Sequence, residues 1–126
     1  MLLRLDFSGG APIHKQIHDQ LVLGIADGRL PAGEKLPTIR ALAIETGVNV
    51  MTVNKAYQAL KAEGYIVTDR RGGTVVAGCA ERRGGEALLG AIRLPAAEAK
   101  LSGISREDWL DLCEKAYIGE KEREQP

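Results

Sequence analysis

The chain of 126 residues is poor in aromatic residues and in cysteine, and its charges cancel. Aromatic residues make up 4% and hydrophobic residues 44% of the sequence, which predicts an aliphatic core in one domain or in one small domain with an appendage. Cys79 and Cys113 form no C-x-x-C pair, so reduced thiols are favoured over a disulfide or a metal site. No apolar run reaches the length of a membrane span, and the first ten residues are too few and too charged for a signal peptide. We therefore predict a cytoplasmic protein with no membrane partner.

Motifs of enzymatic chemistry are absent as well. The sequence has no P-loop, no G-x-S-x-G, no H-E-x-x-H and no carboxylate pair at a plausible spacing. Gly72-Gly73 and Gly84-Gly85 lack the strand-to-helix context of a phosphate-binding loop. His14 and His18 stand four residues apart and could hold a metal ion on one helix face, but no third ligand is apparent, so surface histidines are favoured. We predict no enzyme, no metal and no cofactor.

The zero net charge hides a mild asymmetry. Residues 1–78 contain nine Lys or Arg and seven Asp or Glu, a net charge of +2, and residues 79–126 contain eight and ten, a net charge of −2. Nucleic-acid binding would therefore depend on where a few charges lie and not on the overall charge.

The first 37 residues predict a strand, a helix and a turn. The alternation in "LLRLDF" favours a short strand, which a Ser-Gly-Gly turn follows. Pro12 suits a first helical position, and Asp27-Gly28 ends the helix. The apolar residues that share its inner face are Ile13, Ile17, Leu21 and Ile25. "LPAGEKLP" indicates a rigid turn with a proline at each end.

Two further helices and a hairpin complete this part of the chain. Thr38 is expected to cap a second helix that Gly47 ends, with Ile39, Leu42 and Ala43 facing inward. Asn49 is expected to cap a third helix that runs to about Glu63, and Gly64 ends it. "YIVT" and "TVVA", separated by "DRRGG", predict a β-hairpin. This order is that of a helix-turn-helix followed by a two-stranded wing.

The stretch "NVMTVNKAYQAL", residues 49–60, predicts a third helix with two unlike faces. The apolar stripe, which we expect to be buried, consists of Val50, Val53, Tyr57 and Leu60. The opposite face consists of Asn49, Met51, Thr52, Asn54, Lys55 and Gln58. A polar helix face is usually only solvated, but the tight turn before this helix and the two arginines in the hairpin after it favour a surface that contacts another molecule.

Residues 79–126 predict two helices with apolar faces. Pro95 is expected to kink or split the first of them, Ser-Gly at 102–103 ends it, and Ser105 with Asp108 resembles a capping box at the start of the second. The apolar faces include Leu88, Leu89, Ile92, Ala96, Ala99, Trp109, Leu112 and Ala116. Two such helices cannot bury themselves alone, so they need the first domain, another chain or both.

Five motifs in residues 12–78 resemble the winged helix-turn-helix of GntR-type bacterial transcription regulators. In chain order they are P-I-x-x-Q-I, G-x-L-x-x-G-x-x-L-P, R-x-L-A-x-x-x-G-V, T-V-x-x-A-Y-x-x-L-x-x-E-G and G-T-V-V. The short two-helix tail and the Ala56-Tyr57 pair are similar to the YtrA-like subfamily. The resemblance covers nearly the whole chain and is strongest from Pro12 to Gly78.

The resemblance implies a fold that is mostly α with a small β-wing. Residues 1–78 would form a winged helix-turn-helix DNA-binding domain, and residues 79–126 a helical arm through which two chains form a homodimer. It further implies a repressor that binds double-stranded operator DNA and controls its own operon and, in this subfamily, often ABC-transporter genes. A small-molecule effector is left open. Any signal is expected to act through the arm, where Pro95 is either a flex point or a static kink.

The resemblance also implies which residues bind DNA. An asparagine can pair with adenine through two hydrogen bonds, methyl groups of Thr and Met can pack on thymine, and wing arginines can enter a narrow minor groove. The residues in these positions are Arg40, Asn49, Met51, Thr52, Asn54, Lys55, Arg70, Arg71 and Gly72. The family often has Arg where this chain has Val50, and Gly-Arg-Gly where it has Arg71-Gly72-Gly73, so the bases that are read should differ from those of such relatives. A third-helix face of Asn, Met and Thr with few arginines predicts an A·T-leaning half-site.

The alternative is a winged-helix scaffold that binds a protein and no specific DNA. A scaffold of this kind would present an apolar third helix, whereas this one carries hydrogen-bonding groups. The resemblance and the polar face together favour the DNA-binding regulator.

Overall fold

The computed structural model describes residues 3–78 and 85–123, and the prediction for Cys79 lies outside them. The chain divides into two units, Met1–Arg82 and Arg83–Pro126. The elements of the first unit are α1 (Ile13–Ala26), α2 (Ile39–Thr46), α3 (Val50–Ala62), β1 (Ile66–Thr68) and β2 (Thr74–Val76). The two strands pair antiparallel, with Ile66 opposite Val76 and Thr68 opposite Thr74. The predicted order of three helices and a hairpin is confirmed.

Local capping signals place the helix ends. The Thr38 side chain accepts a hydrogen bond of 3.0 Å from the amide of Ala41, which satisfies one of the free N–H groups at the start of α2. Gly47 ends α2 with a φ of +73°, a conformation in which a side chain would be strained. At the end of α3 the amide of Tyr65 donates to Leu60 and the amide of Gly64 to Lys61, the two bonds of a Schellman motif. The helix ends predicted at Thr38, Gly47 and Gly64 are confirmed, whereas Pro12, expected at the first helical position, is the N-cap of α1.

The core of the first unit is aliphatic around one tyrosine. Tyr57 is fully buried, and its hydroxyl donates a hydrogen bond of 2.8 Å to the carbonyl oxygen of Pro37. That bond ties α3 to the residue just before the α2 cap. The other buried core residues are Ile17, Leu21, Leu36, Leu42, Ala43, Val48, Val53, Ala56, Leu60, Ile66 and Val76. Ile13, Ile25 and Ile39 are partly buried against this cluster, so the predicted inner faces of α1 and α2 are confirmed.

The predicted strand in "LLRLDF" is wrong for residues 3–7, which the structure describes as irregular. Their backbone is bound by two glutamine side chains of α1. The Gln20 amide donates to the Arg4 carbonyl and accepts from the Arg4 N–H, at 2.6 and 2.9 Å. Gln16 makes the same pair of bonds with Asp6, at 2.9 and 2.8 Å. The extended segment is therefore paired with side chains of a helix, while Leu3 and Leu5 pack on the core.

The segment "LPAGEKLP" also pairs with β2 through its backbone. Lys35 forms a bridge with Val75, and the amide of Leu36 donates to Thr74 at 2.8 Å. The amide of Gly33 donates to Val76 at 2.8 Å, and the amide of Val76 donates to Glu34 at 2.9 Å. The connection between α1 and α2 thus runs beside β2 and pairs with it through an isolated β-bridge, a contact that the prolines at both ends hid in the sequence.

The second unit contains α4 (Gly85–Leu101) and α5 (Arg106–Arg123). Pro95 lies inside α4 and does not split it, so of the two predicted outcomes the kink stays a prediction. Gly103 (φ +82°) ends α4, and the amide of Ile104 donates to Ala99 in a second Schellman motif. Ser105 caps α5 by accepting a hydrogen bond of 3.1 Å from Asp108, as predicted. The backbone of α5 leaves the helical conformation at Gly119.

The apolar residues of the second unit fall into two groups. Ala96, Ala99 and Trp109 line a hollow at the turn between α4 and α5, and Ala99 is buried. The others, Leu88, Leu89, Ile92, Leu112 and Ala116, are exposed. Among the described residues the two helices therefore bury each other only near their turn, which agrees with the expectation that they cannot bury their apolar faces alone. Among the helices that the structure describes, none has the length and apolar character to cross a membrane.

Candidate nucleic-acid interface

The third helix presents the predicted polar face to solvent. Asn49, Asn54 and Lys55 are exposed, Met51 is 79% exposed, and Thr52 is half-buried. Val53, Ala56, Tyr57 and Leu60 hold the opposite face in the core. The burial expected for Val50 is wrong, because this side chain is 47% exposed. At 100° per residue Val50 lies about 70° from the centre of the buried stripe and therefore at its edge.

The two asparagines of this face are not equally free to read a base. The Asn49 side chain accepts a hydrogen bond of 2.7 Å from the amide of Met51 and so caps α3. Pairing with adenine through two bonds needs both the oxygen and the amino group, so Asn49 would lose its cap to make that contact. The oxygen of Asn54 accepts only a long, exposed bond of 3.3 Å from Gln58. Asn54 is therefore the better placed base reader.

The hairpin tip carries two exposed arginines on an ordered turn. Arg70 and Arg71 are exposed, and Gly72 has a φ of +82°. The amide of Gly72 donates to the carbonyl of Asp69 at 3.1 Å, which closes a β-turn. The carboxylate of Asp69 also accepts two backbone bonds of 2.9 Å, from Arg71 and from Gly73. These hydrogen bonds hold the backbone of the turn, and the two arginine side chains are exposed.

Two further basic residues lie near these elements. Arg40 is exposed on the first turn of α2. Lys35, which sequence reasoning missed, is exposed on the segment that pairs with β2, and its Cε atom lies 3.1 Å from where a Cβ on Gly73 would stand. Lys35 therefore stands beside the hairpin tip.

His18 connects α1 to the end of α3 through a carboxylate. His18 Nε2 lies 2.5 Å from the Glu63 carboxylate, and Nδ1 lies 2.8 Å from Asp19. Partial burial would lower the pKa of His18, but the hydrogen bonds and charges of Asp19 and Glu63 outweigh it and raise that pKa above 6.5. His18 is thus a structural contact and not the exposed surface histidine that the sequence favoured. Among residues 3–78 and 85–123, no three His, Cys, Asp or Glu side chains are grouped so that they could hold a metal ion.

These elements define a class of protein. A third helix with a buried apolar face and an exposed polar face follows a tight glycine turn, and a β-hairpin with basic residues at its tip follows the helix. This arrangement is the winged helix-turn-helix.

Comparison with known proteins identifies the family. Residues 13–76 match the family described as bacterial regulatory proteins, gntR family. The chain belongs to the GntR family, and within it the chain is YtrA-like. Since the family consists of bacterial regulatory proteins, the prediction that the chain is not an enzyme is confirmed.

Individual relatives agree with this assignment. HTH-type transcriptional regulator Rv1152 of Mycobacterium tuberculosis is 39% identical over 75 residues, which cover 60% of this chain and 62% of that protein. The structure of YtrA from Sulfolobus acidocaldarius, a GntR-family transcription factor, is 40% identical with a TM-score of 0.65 over 78% of this chain and 99% of that one. The DNA-binding domain of AraR in complex with operator ORX1 is 29% identical with a TM-score of 0.54, over 60% of this chain and 96% of that one. The chain spans about three fifths of the length of Rv1152.

Proposed function

We propose that the protein is a sequence-specific DNA-binding transcription regulator that acts in the cytoplasm as a homodimer and represses transcription. The observation that carries the proposal is the exposed polar face of α3, with Asn54 and Lys55, together with a hairpin tip in the same unit that exposes Arg70 and Arg71. A helix of this kind fits the major groove, and arginines beside it reach phosphates or the minor groove. The similar AraR domain is seen with operator DNA, which supports the same use of this surface.

The regulated genes are proposed from the subfamily. We propose that the protein binds the promoter of its own operon and that ABC-transporter genes are among its targets. The promoter region upstream of its own gene is therefore the first DNA to test, with a scrambled duplex of equal length as the non-specific control.

The interface is tested with variants of α3 and of the wing. Asn54→Ala should weaken binding to the promoter by about 1–3 kcal/mol and binding to the scrambled duplex far less, because a base contact carries sequence information. Arg71→Ala should weaken both and reduce the dependence of affinity on salt, because a phosphate contact releases counterions. Lys55→Ala has a matched control in Lys61→Ala, which removes the same charge from the last turn of α3. Wild-type affinity for both duplexes in Asn54→Ala and Arg71→Ala would mean that DNA docks elsewhere.

The homodimer is proposed from the exposed apolar residues of α4. Leu88, Leu89 and Ile92 are 62%, 51% and 49% exposed on a helix, more apolar surface than a solvated helix needs to present. Packing the same face of a second chain on them would cover it and would join two winged domains, as an operator with two half-sites about one helical turn, roughly 34 Å, apart requires. Pro95 is either a flex point through which a signal would alter that distance or a static kink in α4.

The assembly is tested by sedimentation. Leu89→Asp should shift the full-length chain toward monomer at micromolar concentration and weaken promoter binding, because the gain from two linked domains is lost. Leu101→Asp is the matched control, since Leu101 is 88% exposed and lies outside the predicted face. A monomeric wild-type chain at that concentration would refute the homodimer.

A salt-sensitive shift of the promoter, stronger than that of the scrambled duplex, supports the regulator. Equal binding to the two duplexes refutes sequence-specific recognition, and no binding to either favours the protein-interaction scaffold.

A further inference from the structure

The tip of the β-hairpin contains an acidic residue between the strand and the arginines. Asp69 directly precedes Arg70 and Arg71, and it follows β1, which ends at Thr68. A carboxylate so close to the proposed DNA surface should repel phosphates. We therefore expect an interaction of Asp69 that outweighs this repulsion.

The hydrogen bonds of Asp69 supply that interaction. Its Oδ1 atom accepts from the amides of Arg71 and Gly73, at 2.9 Å each. Its own backbone is also engaged, since its amide donates to Gly73 at 2.7 Å and its carbonyl accepts from Gly72 at 3.1 Å. Four hydrogen bonds to three successive residues converge on this one residue, so Asp69 sets the backbone path on which the two arginines stand.

The space around the turn fits this role. A Cβ on Gly73 would lie 3.5 Å from both carboxylate oxygens of Asp69 and 3.1 Å from Lys35 Cε. The carboxylate is therefore packed over Gly73 with the Lys35 stem against the same residue. A Cβ at position 73 would be in ordinary contact with the carboxylate and would require the Lys35 stem to shift by a few tenths of an ångström.

We propose that Asp69 is a positioning residue that holds the hairpin tip in its DNA-binding conformation before DNA arrives. The expected effect on DNA affinity rests on the proposed function, whereas the hydrogen bonds that order the tip belong to the protein without DNA. Without the side-chain bonds, the tip samples other conformations, and the apparent affinity falls by the fraction of molecules that retain the competent one. A net loss of affinity is expected even though removal of the carboxylate also removes a negative charge.

Whether a variant of Asp69 binds DNA more weakly or more tightly shows whether its hydrogen bonds or its negative charge has the larger effect. Asp69→Ala removes the acceptor and the charge, and the full-length variant should bind promoter DNA about tenfold more weakly. Asp69→Asn keeps an oxygen acceptor and removes only the charge, so it should bind as tightly as the wild type or more tightly. Asp111→Ala, which removes an exposed carboxylate of α5, is the matched control and should not weaken binding. Tighter or unchanged binding by Asp69→Ala would overturn the proposal.

A double-variant cycle tests whether Asp69 acts through the arginines. In the Arg70→Ala/Arg71→Ala background, Asp69→Ala should have little further effect on affinity, because the groups that it positions are gone. A further tenfold loss in that background would show that Asp69 acts elsewhere and would overturn the proposal.

Amide exchange in the free protein tests the geometry independently of DNA. The Arg71 and Gly73 amide protons should exchange more slowly in the wild type and in Asp69→Asn than in Asp69→Ala, as measured by NMR with resolved signals elsewhere unchanged. If the wild type binds no DNA, the proposed function fails, and with it the DNA-binding part of this proposal, while the exchange rates still decide whether Asp69 orders the tip. Equal exchange in all three proteins would overturn that as well.

Discussion

Replacing Tyr57 with phenylalanine should change the stability of the protein with a sign that depends on pH. The Tyr57 hydroxyl donates to the Pro37 carbonyl at 2.8 Å from a fully buried ring. Removing one hydrogen bond of this kind costs about 1 kcal/mol. At pH 8 the Tyr57→Phe variant should therefore be about 1 kcal/mol less stable than the wild type.

At high pH the wild type loses stability through the titration of Tyr57, which the phenylalanine variant lacks. Burial, with a smaller contribution from the charge of Glu45, raises the pKa of Tyr57 from 10.0 to about 12. A folded pKa above the unfolded value means that the stabilising contribution is complete below pH 10 and is lost as the pH rises toward 12. At pH 11 linkage gives a loss of about 1.4 kcal/mol, so the variant should equal or slightly exceed the wild type.

The measurement is urea unfolding of both full-length proteins, followed by far-UV circular dichroism at pH 8 and pH 11 at one protein concentration. Tyr117→Phe is the control, because Tyr117 is 94% exposed and the substitution should change nothing at either pH. A stability difference near 1 kcal/mol at both pH values would refute the link between burial and pKa. No difference at pH 8 would refute the contribution of the bond to Pro37.

Substitutions at three further positions test what shapes the first unit. Because the pKa of His18 is raised, its contacts with Asp19 and Glu63 stabilise the fold fully below pH 6.5, and this contribution is lost as the pH rises through the folded pKa. The difference in the free energy of unfolding between the wild type and His18→Gln should therefore fall as the pH rises over this range. A difference in urea unfolding that stays constant with pH would contradict the contact. Gly47→Ala meets no atom within 4 Å but forces alanine to a φ of +73°, so thermal unfolding should show a loss of about 1 kcal/mol, and an unchanged melting temperature would show that the turn relaxes without cost. Asn49→Ala should lose about 1 kcal/mol with the α3 cap, and Asn49→Ser should retain most of it; equal stability of the two variants would argue against the cap.

The helices and the hairpin could be predicted because their signals are local. Thr38, Asn49 and Ser105 cap through their own side chains, and Gly47 and Gly64 adopt the left-handed conformation that ends a helix. Each signal lies within a few residues of the boundary that it sets, so one sequence is enough to find it. The polar face of α3 could be predicted for the same reason, because helical periodicity alone separates it from the buried face.

The errors concern contacts between distant parts of the chain. Arg4 pairs with Gln20 across 16 residues, and His18 meets Glu63 across 45. A glutamine side chain that takes the place of a neighbouring strand gives no periodic signal, and neither does a histidine whose partner lies two elements away. Asp69 was overlooked because a residue that binds its own turn looks, in sequence, like any other polar residue of a loop.

The pairing of β2 with the segment around Lys35 has a thermodynamic consequence. Through that segment and Pro37, the hairpin is connected to the buried Tyr57 of α3. The two proposed DNA-binding surfaces, the polar face of α3 and the hairpin tip, therefore belong to structure that is already formed before DNA binds. A surface prepared in this way orders little backbone when it meets its target. The binding enthalpy should then vary only weakly with temperature, unlike that of segments that fold on binding and bury large apolar areas as they do so.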